Sequence, residues 1–558
     1  MTRIVECVPN ISEGRDRSVI DAVTGEIEKV PGVTLLDVDP GEDTNRTVIT
    51  FVGDPDGVVK SAFRLIAKAA ELIDMTKQQG AHARMGATDV CPFVPVTGVT
   101  MDDCVELAGR LGKRVGDELG IPVYLYEYAA SCPERRNLAD CRTGEYEGLP
   151  ARVGNSYWEP DFGPFEFGSA GATAVGARDF LIAWNINLNT RNMKIASKIA
   201  NRLREKGYAG MDPDNPKKYL RDEEGNVVFT PGKFKGVKAV GWYIDKYKQA
   251  QISCNLVNYH ESPPHLVFDE ACKLAEQFGI RVTGSELVGV IPLEAMRQAG
   301  MYFLKKQGVI TGVNEKDIIL TAVQSMGLDQ LSSFDPEKNI IEYMIGKPGL
   351  LTSMKISDFI DKLASDSPAP GGGSVAALCG ALSAGLASMV ANLTFGKKGY
   401  TKHNKVMDKL AVKAQELKAK LVDYVDKDTE AFNRVMVAFG MPKKTEEQRE
   451  ARDRAIDEAN KGAALVPFEV LSLMPDVARL ARTAAELGNR NLTPDAGVAG
   501  LTSALAARGA AYNVRVNLQN LPDDDFSRRM KEDTDRILSE VDAVAAEIRE
   551  IIEGRLWG

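Results

Sequence analysis

From Gly371 to Leu393 the chain carries no charged residue. A stretch of that length either crosses a bilayer or lies buried among other helices. Its composition decides between the two. It is built from glycine, alanine and serine, and lacks the hydrophobic bulk and aromatic flanks of a spanning helix. Small residues let neighbouring helices approach closely, so the stretch predicts the buried helix of a soluble bundle, with no membrane partner. Ser374 reads as its N-cap, after the Pro368–Ser374 loop. Helical recurrence continues at 402–439, 446–463, 465–487, 494–517 and 524–555, with a short helix at 356–363 and no convincing strand. Residues 354–558 therefore read as an all-α domain.

Upstream the periodicity is of another class. Residues 3–8 alternate as a strand, Pro9–Gly14 turns, and a helical pattern runs to about 28. Strands follow at 33–39 and 47–52, a helix at 58–73, and a strand at 90–96 whose prolines place it at an edge or a bulge. That order is β-α-β-β-α-β, the ferredoxin-like unit. A helix at 101–118 and a strand at 122–126 extend it. The order recurs with a strand at 180–187, a helix at 193–206, strands at 237–245 and 249–257, a helix at 264–278 and a strand-like run at 281–291. The fold class is thus α/β, two tandem ferredoxin-like βαββαβ subdomains (1–180 and 181–345), joined by a linker at 346–353 to the helical domain. Two such units side by side create a groove, where pockets gather. A polar stretch at 206–233 interrupts the second unit; its lysines, with those on to Lys238, read as a solvated loop or as contacts for an anionic ligand.

The net charge of -9 in 558 residues argues against nucleic acid as a partner. The eight cysteines are dispersed without a CxxC pair, which fits reduced thiols in the cytoplasm and no zinc knuckle. His260, His265 and His403 have no nearby cysteine and no carboxylates at metal-ligand spacing. They read as surface or capping residues, and no metal site is expected.

Three stretches carry candidate chemistry. His82 lies between Gly80 and Gly86, and its imidazole suits proton transfer near neutral pH. On spacing alone a hydrogen-bonded loop histidine is the favoured reading. Asp428 falls on the apolar stripe of its helix, four residues from both Tyr424 and Phe432, whereas Asp426 falls off it and reads as solvated. A carboxylate on an apolar face is either ion-paired or a functional acid–base group. Gly371-Gly372-Gly373-Ser374 suits either an anion-binding helix start or a tight loop. The aromatic, glycine-rich Trp158–Gly168 could stack a flat heterocycle or form a packed crossover.

Longer motifs add a resemblance. Val5-Glu6-Cys7-Val8-Pro9-Asn10-Ile11-Ser12-Glu13-Gly14, Leu35–Asp39, Asn45–Val48, His82–Phe93, Asp161–Pro164, Gly171–Arg178 and Asn185–Leu188 resemble glutamate formimidoyltransferase. Ala369–Ala377 and Val425–Phe432 resemble formimidoyltetrahydrofolate cyclodeaminase. Their order matches the bifunctional family over nearly the whole chain. The resemblance implies a transferase plus ammonia-lyase of histidine degradation. It implies formimino transfer from N-formimino-L-glutamate to N5 of tetrahydrofolate, then cyclisation to 5,10-methenyltetrahydrofolate with loss of ammonia. It further implies polyglutamylated tetrahydrofolate as co-substrate, no permanently bound cofactor, and a ring-like homo-octamer. His82 and Asp428 take the family's catalytic positions. The folate-binding segment maps onto Gly163, Pro164, Phe165, Glu166, Phe167, Gly168, Ser169, Ala170 and Gly171. Asn10, Asp39 and Arg84 are candidates for orienting substrate near His82; Gly372, Gly373, Ser374 and Asp495 are candidates near Asp428. Two alternatives stand beside this reading: a folate enzyme acting mainly as methenyltetrahydrofolate cyclohydrolase, and a non-catalytic folate-binding scaffold.

Overall fold

Alternating apolar residues at Val5 and Cys7 commit the first strand to a buried face, and the sheet grows from it. The computed structural model describes residues 3–42, 44–80, 83–213, 215, 218–346, 349–519 and 521–557. Strands β1 (Ile4–Cys7), β2 (Asn10–Ile11), β3 (Val33–Gly41), β4 (Arg46–Gly53), β5 (Thr88–Thr97), β6 (Val123–Glu127) and β7 (Thr173–Ala177) form one sheet. β1 and β2 share a position between β4 and β5 and pair antiparallel with both. β3 lies outside β4. β7 and β6 continue beyond β5 in parallel. Helices Arg17–Glu28, Pro55–Leu72 and Met101–Leu119 bury Ile20, Leu65 and Leu111 in one core with Val5, Cys7 and Phe51.

One local expectation is corrected, and of the two alternatives offered for the proline-containing strand the structure has the bulge. The turn at Pro9–Gly14 contains a short strand, because Asn10 and Ile11 find partners on both sides. β5 is an interior strand, not an edge strand; its register against β1 shifts beside Pro95, where an N–H is missing from the ladder.

The second sheet contains β8 (Ile182–Leu188), a small separate hairpin of β9 (Tyr208–Ala209) and β10 (Phe229–Thr230) follows it in the chain, and β11 (Val237–Ile244), β12 (Gln249–Leu256) and β13 (Val282–Val288) complete the sheet. Its order is β11-β12-β8-β13, antiparallel throughout. Helices Met193–Leu203 and Pro264–Gln277 connect its strands. The polar 206–233 stretch is thus partly ordered as a hairpin.

The remaining architecture is helical. The Gly372–Thr394 helix packs against helices Asn404–Phe439, Glu446–Leu487 and Thr493–Leu518, and Asp525–Trp557 packs on the last two. By length and composition Gly372–Thr394 could cross a membrane, but its small side chains are used for helix contact. A Cβ at Gly380 would stand 2.9 Å from Met474 Cε, and Ser383 Oγ donates to the Ala499 carbonyl at 2.7 Å. Ser374 is not the cap: the helix starts two residues earlier, with Gly371 at the N-cap. Nor do 446–463 and 465–487 form two helices. One helix runs through Pro467 and Pro475, and burial of both rings in the core offsets the lost backbone hydrogen bonds.

The chain divides into two compact units, Met1–Ala299 with Val323–Gly346, and Gly300–Ala322 with Lys347–Gly558. Residues 300–322 join the helices through Thr311, whose N–H and hydroxyl donate to Asp408, and through Gly312 against Ala411. Leu421 is fully buried at the centre of the helical core. Leu421→Ala is expected to lower the stability of this unit by about 2–5 kcal/mol in urea denaturation, through lost burial and the cavity left behind.

Candidate active sites

Two separate arrangements, one in each compact unit, gather ionisable groups around a cavity. The first is built around the loop between the Pro55–Leu72 helix and β5. The glycines at its ends permit close backbone approach: a Cβ at Gly80 would meet the Thr44 carbonyl oxygen at 2.1 Å, and one at Gly86 the Ala172 carbonyl oxygen at 2.1 Å. Gln78 Nε2 donates to the Asn45 carbonyl. Arg84 donates to Gln78 Oε1 at 2.7 Å and to Glu145 and Glu147. Its guanidinium braces the loop rather than lining the cavity beside it. His82 lies outside the described residues.

Asp89, 0% exposed, lies at the start of β5 and ties the loop to the cavity wall. One carboxylate oxygen accepts from the Met85 N–H at 3.0 Å. The other accepts from Arg46 at 3.0 Å and Arg142 at 2.5 Å. Arg46 also donates to Asn10 Oδ1 at 2.8 Å. Two guanidiniums on one carboxylate leave a net positive wall. Burial, with Arg142 nearby, lowers the Arg46 pKa to about 10, against the pull of Asp89. The cavity they line measures about 960 Å³, and Arg136, Arg178, Arg204, Lys206 and Lys238 line it too, opposed by Glu127 and Glu205. Such a wall suits a small polyanion.

Of the residues expected around His82, Asn10 lines this cavity. Asp39 is exposed on β3 and does not. The Gly163–Gly171 segment runs beside the loop: Met75 and Ala87 N–H donate to the Ser169 and Ala170 carbonyls, and Gly86 bridges to Gly171. Phe165 and Phe167 meet edge-to-face at 6.1 Å. The segment does not line the cavity. Sequence reasoning passed over Arg46, Asp89 and Arg142, although Arg46 and Asp89 both lie within the motifs that carry the family resemblance.

The second arrangement centres on Asp428. It occupies the crowded start of the Gly372–Thr394 helix: a Cβ at Gly373 would stand 2.0 Å from its Oδ1. Burial raises the Asp428 pKa, against hydrogen bonds from the Ser374 hydroxyl and N–H that lower it. Ser374 Oγ stands 3.0 Å from Asp428 Oδ2 and 2.8 Å from the Val425 carbonyl oxygen. One hydroxyl proton serves both. Ser374 can donate to the ionised carboxylate, or donate to Val425 while accepting from the protonated acid. No ion pair to Asp428 is present among the described residues, so of its two readings the structural ion pair is the one without support.

A pocket of about 510 Å³ opens beside Asp428, lined also by Gly372, Gly373, Phe432, Asn460 and Asn513. Asp495, in the first turn of the Thr493–Leu518 helix, does not line it. Asp426 is not a solvated residue; it accepts from the Leu351 and Thr352 N–H groups. Among the other histidines, His265 corrects the surface reading. It is buried at the start of its helix beside Val267 and Phe268, and burial lowers its pKa to about 4. Among the described residues no group of three or more His, Cys, Asp or Glu side chains could hold a metal ion.

Glu6 is a buried carboxylate on the face of β1 opposite Val5 and Cys7. Burial raises its pKa from 4.5 to about 7; Arg178 counters that and Glu342 adds to it.

Comparison with known proteins covers both compact units. Residues 4–178 match the family model described as formiminotransferase domain, N-terminal subdomain, residues 183–346 the formiminotransferase domain, and residues 355–536 formiminotransferase-cyclodeaminase. The formimidoyltransferase-cyclodeaminase of Rattus norvegicus is 40% identical over 559 residues, covering 100% of both chains. A glutamate formimidoyltransferase of Streptococcus pyogenes serotype M1 is 41% identical over 306 residues, 55% of this chain and 94% of its own. A methenyltetrahydrofolate cyclohydrolase of Methylorubrum extorquens is 40% identical over 201 residues, 36% of this chain and 97% of its own.

The raised pKa of Glu6 sets a pH dependence. The unfolded chain ionises this group near 4.5 and the folded chain near 7, so its contribution to stability is complete below about 4.5 and is lost as pH rises through about 7. Glu6→Gln is expected to be more stable than the parent by about 3 kcal/mol at pH 8, and by far less at pH 4.5, in urea denaturation at the two pH values.

Proposed function

From the premise that this chain belongs to the formimidoyltransferase-cyclodeaminase family, we infer that each compact unit performs one of two consecutive reactions on folate. The first moves the formimino group of N-formimino-L-glutamate to N5 of tetrahydrofolate. The second cyclises 5-formiminotetrahydrofolate to 5,10-methenyltetrahydrofolate and releases ammonia. The observation that carries this reading is the pairing of full-length similarity with two distinct cavities, one cationic and one around Asp428.

In the transferase, N5 attacks the amidine carbon and glutamate's nitrogen leaves. The leaving nitrogen needs a proton, and His82 is the group assigned to supply it. The cationic wall beside Asn10 and Arg46 suits the donor's carboxylates. Gly163–Gly171 is assigned to folate, and Asp39 and Arg84 to shaping the approach to His82, Arg84 through its hold on the loop. In the cyclodeaminase, N10 attacks the amidinium carbon. Asp428 takes the N10 proton and delivers it to the departing nitrogen, which leaves as ammonia. The burial that raises its pKa makes the carboxylate a better base for the N10 proton. Gly372 and Gly373 let substrate and carboxylate meet, Ser374 holds the carboxylate, and Asp495 takes a more distant place in the same domain.

The sites belong to domains at 1–180 and 181–345, both ferredoxin-like, and 354–558, with 346–353 between them; strand orders β3-β4-β1-β5 and β11-β12-β8-β13 support the shared unit. The co-substrate is polyglutamylated tetrahydrofolate, with no permanently bound cofactor, in a cytoplasmic ring-like homo-octamer. Exposed Leu501, Leu505 and Tyr512 on one helix supply apolar surface suited to assembly.

Purified protein supplied with formiminoglutamate and tetrahydrofolate should form methenyltetrahydrofolate and ammonia; absence of formimino transfer would sink this reading. His82→Ala is expected to lower transfer about 10²–10⁴-fold while supplied 5-formiminotetrahydrofolate still cyclises, and Asp428→Asn to do the reverse. Gly373→Ala is expected to cut cyclisation by at least about 10-fold with transfer unchanged, because its methyl group displaces the Asp428 carboxylate.

A further inference from the structure

Among the described residues no lysine or arginine lies on the wall of the pocket beside Asp428. Carboxylates of a ligand therefore gain nothing by entering it. Its walls are apolar at Phe432, Val435, Phe439 and Ile456, which suits a flat ring system. Its other polar side chains are amides. Asn513 donates to the Gly509 carbonyl at 2.8 Å, and Asn517 to the Ala463 carbonyl at 2.7 Å. Both are engaged within the protein.

Asn460 differs. It lines the same pocket from the Glu446–Leu487 helix, is 9% exposed, and its amide has no side-chain hydrogen bond among the described residues. Its amide is open to the pocket and has no protein partner among the described residues, so a ligand that fills the pocket and displaces water must either pair with it or leave it unpaired at a cost in free energy. A primary amide offers one donor and one acceptor side by side. The complement is a ring edge that presents an acceptor next to a donor, as the oxo and ring N–H groups of a pterin do.

We propose that Asn460 binds the amide edge of the substrate's pterin ring and so fixes which way the N5–N10 edge faces Asp428. This rests on the cyclodeaminase reading of that pocket. The pairing selects a 2-amino-4-oxo pterin over ring systems without that edge, because a mismatched ring leaves the Asn460 amide unpaired again.

The test is Asn460→Leu in the full chain, which keeps the branching of the side chain and removes its donor and acceptor. Cyclodeamination of 5-formiminotetrahydrofolate should show KM raised at least about tenfold with a smaller change in kcat, since a binding contact is removed. Formimino transfer should be unchanged. The melting temperature without folate should be equal or higher, because the variant removes an amide that has no partner in the free protein. The stable analogue 5-formyltetrahydrofolate should raise that temperature less in an Asp428→Asn, Asn460→Leu double variant than in Asp428→Asn alone. An unchanged KM overturns the proposal, and so does a fall in the folate-free melting temperature, which would reveal a structural partner. If Asp428→Asn itself still cyclises normally, the reading of the pocket fails; if Asp428→Asn is inactive and Asn460→Leu keeps the parent KM, only this inference fails.

Discussion

The contact between Asp428 and the start of the Gly372–Thr394 helix is the constraint on which the helical half depends. A carboxylate reaches this position only because residue 373 has no side chain. The same absence of bulk along the helix lets three other long helices close on it, burying Asp428 enough to raise its pKa. Core packing and acid–base chemistry therefore share one cause. The uncharged stretch that looks on paper like a membrane span is the wall that holds the carboxylate.

The α/β half places its charge differently. Asp89 is buried and surrounded, and its function is to hold two arginines at the edge of a cavity while anchoring the Met85 backbone. A buried carboxylate between two guanidiniums is a costly arrangement that good geometry must offset. Here the residual positive charge faces the cavity to which the proposed function assigns the donor's carboxylates. One site thus withdraws a carboxylate to expose cations, and the other presents a carboxylate in a pocket on whose wall no described residue is a lysine or arginine.

Much of this was legible in the sequence where one physical signal dominated. The switch from short strands to long helices near residue 354, and the apolar stripe that singled out Asp428, both follow from periodicity. Asp426 shows the limit of that signal: off the stripe it looked solvated, yet it caps the Leu351–Thr352 backbone, a partner 75 residues away by sequence. The break expected between 463 and 465 is absent: one helix runs through it and on through the buried Pro467 and Pro475, so tertiary packing outweighs the local signal. Asp89 was invisible as a site residue for the same reason as Asn460: each matters through what surrounds it in three dimensions, not through its neighbours in the chain. His82 entered through its motif, since a lone loop histidine carries no such information.

The central claim is that two independent proton-handling centres act in sequence on one folate. Mixing the His82→Ala and Asp428→Asn proteins tests it most directly, with formiminoglutamate and tetrahydrofolate as the only substrates. Neither protein alone should produce methenyltetrahydrofolate at more than a trace. The mixture should regain its formation, with one ammonia released per methenyl group, because 5-formiminotetrahydrofolate made by one protein is cyclised by the other. A mixture that stays inactive, while each protein retains its own half-reaction, would contradict the claim that the two centres work independently.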